Sequence, residues 1–181
     1  MKAYHELVDT GREVETITIF DGNNKILQVV YDILDLIAEA DIIIGTGHLS
    51  VQEGIALAKA AKERGVKKVL AQHVDDPIVN YSVEDQIEMT RHGAFLEHCF
   101  HRCIGDTFDI KPSEIADRIK KVGPSHCVLA SGLGVAGRLH PIEGMRLFIR
   151  YMLSNGLSEK DVETMTKDSP AMLLGLNREN S

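Results

Sequence analysis

The sequence contains no tryptophan, and aromatic residues make up only 5% of its 181 residues. Proteins that bind single-stranded nucleic acid stack the bases on aromatic side chains, so this composition argues against that class. Positive charge is also scarce, because the net charge is −7 and no basic stripe is present. Since DNA and RNA are recognised through clustered lysine and arginine, the sequence predicts no nucleic-acid partner.

Long apolar runs are missing as well. No run approaches the roughly 18 residues of a membrane-spanning helix, so no membrane partner is expected. The polar N-terminus lacks the pattern of a signal peptide. Cysteines are few and odd in number, at Cys99, Cys103 and Cys127. Such a set indicates reduced thiols, and it favours a cytoplasmic location.

What the sequence does contain is one unit repeated along the chain, a short β-branched segment followed by an amphipathic helix. In the clearest copy, Ser50 and Glu53 have the spacing of a capping box at the start of a helix. The predicted strands are Glu15–Phe20, Ile42–Ile44, Lys67–Gln72, Ala94–Phe100 and His126–Ala130. The predicted helices are Ile26–Glu39, Val51–Arg64, Ser82–Arg91, Pro112–Val122, Pro141–Asn155, Ser158–Thr166 and Ser169–Leu176.

The alternation of about five strands with helices predicts an α/β fold in which parallel strands are joined by right-handed crossovers. No linker or repeat block divides residues 1–181, so one domain is expected, with an irregular segment at residues 1–13. A complete (β/α)8 barrel needs eight strands and about 250 residues. Length alone therefore favours an open, doubly wound sheet.

Side chains that bind metals follow three successive predicted strands. His48, His73 and Glu97 each lie at or just past a strand's carboxyl end. A single histidine there is more often a hydrogen-bonded structural residue, but matched positions on neighbouring parallel strands converge at one edge. Imidazole and carboxylate groups suit a divalent ion such as Zn²⁺ or Mn²⁺. The sequence therefore predicts His48, His73 and Glu97 as metal ligands.

Two further segments have open interpretations. Because side chains alternate along a strand, Glu97, Cys99 and His101 share one face and His98 points to the other. Of these, Glu97 is the expected ligand, and the cysteines are expected to pack. The glycines in the segment 132–137 follow a strand, as in a phosphate-binding loop, but the dinucleotide fingerprint is incomplete. A turn is the favoured interpretation, and a binding protein for a phosphorylated ligand is the other functional hypothesis that this segment raises.

The order of several short motifs resembles a known family. The motifs begin with Gly-Thr-Gly-His-Leu-Ser-x-x-Glu, which ends at Glu53, followed by Gln-His73 and Gly-Ala-Phe-Leu-Glu97. They continue with Val-Gly-Pro124, Ala-Ser-Gly-Leu-Gly134, Pro-Ile-Glu-Gly144 and Ser-Pro-Ala-Met-Leu-Leu-Gly-Leu176. In this order they resemble the C-terminal part of the amidohydrolase superfamily, close to a branch of cytosolic, metal-dependent hydrolase-like TIM barrels. The resemblance covers residues 14–177.

The resemblance implies that the chain corresponds to strands four to eight, a partial (β/α)8 TIM-like barrel of about five strands with extra C-terminal helices. His48 would match the family's fifth-strand histidine and His73 its sixth-strand histidine, while Glu97 lies on the seventh strand. The aspartate that usually serves as general base would fall on Gly132. The family's first-strand His-x-His pair has no counterpart in this sequence.

The implied function is hydrolysis of a C–N or ester bond in a small molecule by a metal-activated water. Because the aspartate and the histidine pair are missing, a catalytically degraded form is part of the same expectation. The alternative is a non-catalytic relic, or a subunit that completes a split barrel with a partner chain. Expected partners are a small-molecule substrate and either a second copy of the chain or a complementing N-terminal half-barrel. Asp75 and Asp106 are the other carboxylates considered for the site.

Overall fold

A computed structural model of the chain describes residues 17–105 and 109–176. Within these ranges, four strands form one parallel sheet in which each strand pairs with the next along the chain. The strands are β1 (Ile44–Gly45), β2 (Val69–Ala71), β3 (Ala94–Cys99) and β4 (Cys127–Ala130). The α/β class and the parallel strands are therefore confirmed.

Helices alternate with the strands as expected. The α-helices are α1 (Gln28–Ala40), α2 (Val51–Glu63), α3 (Val83–Arg91), α4 (Pro112–Val122), α5 (Pro141–Ser154), α6 (Glu159–Glu163) and α7 (Ser169–Leu173). Short 3-10 turns lie at Phe100–Cys103 and Pro124–His126, and a π-helical turn, Thr164–Asp168, joins α6 to α7. None of the helices in the described ranges is long and apolar enough to cross a membrane.

The strand order β1-β2-β3-β4 contains no reversal. An open doubly wound sheet reverses direction at a switch point, whereas right-handed crossovers in one direction place successive helices on the same face. Burial agrees with this arrangement, because Cys127 and Leu129 of β4 are buried while Val128 and Ala130 are only half-buried. The sheet therefore has one helix-covered face and one more open face, which is consistent with a partial barrel-like α/β fold.

The first predicted strand differs from expectation. Its start lies outside the described residues, and its described part makes only an isolated antiparallel bridge, between Phe20 and Ile26. The Asp21 carboxylate accepts hydrogen bonds from the amides of Asn23 and Lys25, which closes a tight turn. This turn directs the chain back on itself, so the described residues contribute four strands to the sheet rather than five.

The core lies between the sheet and the helices. Leu96 of β3, Ile115 of α4 and Phe148 of α5 are fully buried there. The Phe148 ring stacks on Phe100 with a centroid distance of 5.3 Å. Cys103 and Cys127 belong to the same core, and the packing predicted for the Cys103 thiol is confirmed.

The predicted capping box of α2 is present, and its glutamate also binds a segment that is distant in the sequence. Ser50 Oγ accepts a hydrogen bond from the Glu53 amide, and the Glu53 carboxylate accepts one from the Ser50 amide. The same carboxylate accepts hydrogen bonds from the Thr18 hydroxyl at 2.5 Å and the Ile19 amide at 3.0 Å. Partial burial opposes the charge, but these hydrogen bonds outweigh it and lower the pKa of Glu53 to about 2.

Replacing Glu53 with glutamine is expected to lower the free energy of unfolding by about 1 to 2 kcal/mol, because the cap and the link to Thr18 weaken together. The ionised Glu53 stabilises the fold above its ordinary pKa of 4.5, and this contribution is lost as the pH falls toward 2. Urea unfolding at pH 7 measures the stability lost in Glu53→Gln, and the same experiment at pH 3 shows how much of that difference disappears on acidification. Glu63→Gln, at the exposed end of the same helix, is the matched control and should unfold like the unmodified chain. An equal loss of stability in both variants would contradict this role.

Candidate functional site

Two of the predicted ligands meet at the carboxyl ends of β2 and β3. His73 follows β2 in a left-handed backbone conformation, with a φ of 53°. Its Nδ1 lies 3.0 Å from Oε2 of Glu97, and its backbone amide donates to the same oxygen at 3.3 Å. The pairing of Ala71 with Leu96 sets this register, because it places the residues after β2 beside the carboxyl half of β3.

Cys99 is the third member of this group. Its Sγ lies 3.3 Å from Nδ1 of His73, and the ligand atoms of His73, Glu97 and Cys99 all lie within 4.8 Å of one another. We call these three residues the His73 cluster. The interpretation of Cys99 as a packing residue is therefore incomplete. The signal that identifies it was present in the alternation of β3, which places Cys99 on the same face as Glu97.

His48 lies beside the His73 cluster rather than within it. Its ring centroid is 5.8 Å from that of His73, with the ring planes tilted by 43°. The loop carrying His48 is fixed to the strand-end residue Gln72, whose side-chain oxygen accepts a hydrogen bond from the Gly47 amide. Thus His48 faces the same edge of the sheet as His73, but it is not one of the three residues with converging ligand atoms.

His101 and Asp76 extend the group on the other side. The His101 ring meets the His73 ring edge-on at 6.2 Å, and its Nε2 lies 3.7 Å from Oδ2 of the buried Asp76. Arg102 lies 3.5 Å from the same Asp76 oxygen. The shared strand face indicated His101, whereas no sequence signal distinguished Asp76 from Asp75.

The electrostatics of the His73 cluster couple the charges of its three members. The hydrogen bond to Glu97 raises the pKa of His73 against the opposing effect of burial. Burial disfavours the charge on Glu97, yet the contacts with His73 outweigh it and lower the pKa of that carboxyl. Burial, and then the Glu97 charge, raise the pKa of the Cys99 thiol well above its ordinary range. These contacts therefore favour the protonated imidazole of His73, the ionised carboxyl of Glu97 and the neutral thiol of Cys99.

His98 points to the opposite, helix-covered face, as strand alternation predicts. It is fully buried, and its Nδ1 lies 2.6 Å from Oδ2 of Asp75. Arg118 of α4 donates to the other Asp75 oxygen at 2.8 Å. Burial opposes the charge on His98, but the attraction of Asp75 outweighs it and raises the pKa of His98 to about 10. Asp75, one of the two other carboxylates considered for the site, therefore binds His98 and Arg118 instead. The second, Asp106, lies outside the described residues.

At Gly132, the position where the resemblance implies an aspartate, the neighbouring space is filled by His101. A Cβ built on Gly132 would lie 2.9 Å from Cγ of the His101 ring and closer still to its Nδ1. The backbone of Gly132 is also left-handed, with a φ of 63°. A side chain at this position would therefore be strained and would displace the ring.

Gly132→Asp is expected to destabilise the fold by about 1 to 3 kcal/mol, because the new Cβ meets the His101 ring. Removing that ring in the double variant with His101→Ala should recover part of the loss, since the space is then open. Thermal unfolding of the unmodified chain, both single variants and the double variant measures this coupling. Strictly additive effects would contradict the close approach of the two residues.

A family model matches residues 1–97 of the chain, and its description reads "Family of unknown function (DUF6282)". The chain belongs to the DUF6282 family. No curated protein matches it. The segment shared with DUF6282 contains His48, His73 and Glu97, the three predicted ligands, whereas Cys99 and His101 lie beyond it. The candidate site is therefore built from both the DUF6282 segment and the residues that follow.

Proposed function

We propose that this protein binds a divalent metal ion at the His73 cluster and hydrolyses a C–N or ester bond of a small molecule. The observation that carries the proposal is that one ligand atom each of His73, Glu97 and Cys99 lies within 4.8 Å of the other two, at the carboxyl ends of two parallel strands. Ligand and metal sites of barrel enzymes lie at this edge. The resemblance to amidohydrolase barrels supports the same location.

The donor set suits zinc best. Imidazole, carboxylate and thiolate are all zinc ligands, and the thiolate disfavours a hard ion such as Mg²⁺ or Ca²⁺. Three protein ligands are the usual number in a catalytic zinc site, which keeps one position open. His48 is the imidazole next nearest to the cluster, with its ring centroid 5.8 Å from that of His73. Binding requires the loss of protons from His73 and Cys99, so the affinity should rise with pH.

A zinc ion bound there would supply the acidity that brings a coordinated water to a pKa near 7. The chain's own residues would then have two tasks. Glu97 offsets positive charge at the site through its carboxylate. Burial and the charge of Arg102 lower the pKa of His101, which favours its neutral form, and the neutral imidazole can accept a proton in place of the missing aspartate.

The test is hydrolysis of a panel of small amides and esters by the zinc-loaded chain, compared with His73→Ala. We expect turnover that requires zinc and is lost in His73→Ala, while circular dichroism shows that the fold is retained. His92→Ala is the matched control, because His92 pairs with Glu88 on α3 rather than with the cluster. Equal turnover in His73→Ala and the unmodified chain would refute the proposal.

The second candidate is a non-catalytic subunit that completes a barrel with a partner chain. Gly132 favours it, because a glycine supplies no carboxylate where amidohydrolases have their base. Zinc binding without turnover on any substrate of the panel, in the chain alone, would favour this candidate. Turnover by the purified chain would exclude it.

A further inference from the structure

Both ends of the sheet are open among the described residues. There, β1 pairs only with β2, and β4 pairs only with β3. The outer side of such a strand carries backbone amide and carbonyl groups that can pair with a strand of another chain. Because all four strands run parallel, β4 of one copy can pair with β1 of another copy in the same direction as the pairs within the sheet.

We propose that two copies of this chain associate head to tail, with β1 of each copy beside β4 of the other, and so close an eight-stranded barrel. Each copy contributes four described strands in sequential order, and a closed (β/α)8 barrel has eight. A contact between two different surfaces closes into a ring when the rotation between the copies matches, and two sheets of four strands supply the full number. This inference does not rest on the function proposed above, because the contacts lie at the two ends of the sheet rather than at the His73 cluster.

One flank of α1 is an exposed apolar stripe. Val29, Ile33 and Leu36 follow one another at helical spacing, and 56%, 47% and 65% of their surfaces are accessible. A different flank of the helix faces α2, since Asp35 pairs with Arg64 at the end of α2. The three apolar residues, which we call the α1 stripe, therefore lie where the helix of an adjoining strand would pack against α1.

The helix at the other end of the sheet offers a second apolar surface. α5 follows β4, and it exposes Ile142, Leu147 and Leu153. Burial of such side chains is the main favourable contribution when proteins associate. In the closed barrel, the α1 stripe of one copy would pack against α5 of the other copy.

Charge determines which helix of the second copy can face α1. The charged residues of α1 are all acidic, and Asp32 and Glu39 border the α1 stripe. α5 carries the exposed Arg146 and Arg150 and only one acidic residue, Glu143, which pairs with Arg146. Packing α1 against α1 of a second copy would bring like charges together, whereas packing α1 against α5 brings opposite charges together. The charges therefore favour the head-to-tail arrangement.

The open face of the sheet is also suited to the interior of a barrel. The strand register places Leu70, Phe95 and Val128 on this face, and Leu70 and Val128 are only half-buried. The interior of a (β/α)8 barrel is filled by layers of such side chains from its strands. Closure by a second copy would bury the apolar residues that one copy alone leaves partly accessible.

Closure would also change the surroundings of the candidate site. His48 follows β1 and Gly132 follows β4, and both lie at the carboxyl ends of their strands. Because β1 of each copy would pair with β4 of the other, His48 of one copy would lie near Gly132 of the second copy. The two His73 clusters would then share one end of the barrel.

Two charge-reversed variants of the full chain test the pairing of the helices. The α1 variant carries Asp32→Lys and Glu39→Lys, and the α5 variant carries Arg146→Glu and Arg150→Glu. Light scattering after size-exclusion chromatography of the metal-free chain measures the mass. We expect the unmodified chain to have the mass of two copies and each variant alone to have the mass of one, because like charges then meet at both interfaces. An equimolar mixture of the two variants should regain the mass of two copies, since each interface then joins opposite charges.

Glu84→Lys is the matched control, because it reverses an exposed charge on α3, away from both ends of the sheet, and should leave the mass of two copies unchanged. A chain with all four substitutions should also associate in pairs, and circular dichroism checks that every variant retains the fold. An unmodified chain with the mass of one copy would overturn the inference and leave a segment of the same chain or a different protein to cover the α1 stripe. Pairs that persist in both charge-reversed variants, a mixture that stays at the mass of one copy, or assemblies larger than two copies would overturn it as well.

Discussion

Replacing Asp75 with asparagine is expected to lower the free energy of unfolding by about 3 to 5 kcal/mol, the usual loss when one partner of a buried ion pair is removed. The side chain of Asp75 is 2% exposed and binds both His98 and Arg118. Without the carboxylate, a fully buried imidazole loses its counter-ion and either stays charged at a high cost or gives up its proton. Thermal unfolding should show a melting temperature lower by roughly 10 °C or more.

The pH dependence gives an independent signature of the same pair. The pKa of Asp75 is lowered from its ordinary 3.8, so its stabilising effect is present above that value and is lost as the pH falls. The pKa of His98 is raised from 6.5 to about 10, so its effect is fully present below 6.5 and is lost as the pH rises through 10. Both contributions are fully present between pH 3.8 and pH 6.5, so the stability difference between the unmodified chain and Asp75→Asn should be largest in that range.

Asp117→Asn is the matched control, because Asp117 is exposed on α4 and pairs only with Lys120 in the described contacts. It should melt close to the unmodified chain. A loss for Asp75→Asn no larger than for Asp117→Asn would show that the buried pair does not stabilise the fold.

Removing a ligand from the His73 cluster is expected to weaken zinc binding by at least about 100-fold, since even the residues that only orient ligands contribute 10- to 100-fold. Cys99→Ser and His73→Ala each remove one donor atom of the cluster. Competition with a chromophoric chelator measures the affinity. The unmodified chain should also gain about 2.7 kcal/mol of stability at a free zinc concentration 100 times Kd, and each variant should lose this gain.

Cys103→Ala is the matched control for the thiol, because Cys103 is buried in the hydrophobic core and is not a member of the cluster. It should bind zinc like the unmodified chain, although its stability without metal decreases. Equal zinc affinity in Cys99→Ser and Cys103→Ala would show that Cys99 is not a ligand.

The local features of this fold could be predicted because they depend on short spacings. The capping box of α2 follows from the spacing of Ser50 and Glu53, and it is present. Strand alternation likewise predicted that Glu97 and His98 lie on opposite faces of the sheet, because they are adjacent residues of one strand. These predictions need only the geometry of one helix or one strand.

The composition of the site required information that no local pattern contains. The approach of Cys99 to His73 depends on the register between β2 and β3, and the contact of Gly132 with His101 depends on the path of the loop after β4. The commitment of Asp75 to His98 requires α4 to bring Arg118 to the opposite face of the sheet. Such tertiary contacts determine which of several equivalent side chains reaches the site.

The central claim is that His73, Glu97 and Cys99 together bind a metal ion. X-ray absorption at the zinc edge, on the chain loaded with one equivalent of zinc, tests it most directly. We expect one sulfur neighbour at about 2.3 Å together with nitrogen and oxygen neighbours at about 2.0 to 2.2 Å, and loss of the sulfur neighbour in Cys99→Ser. A chain that retains no zinc after desalting, or a zinc shell without sulfur, would contradict the claim.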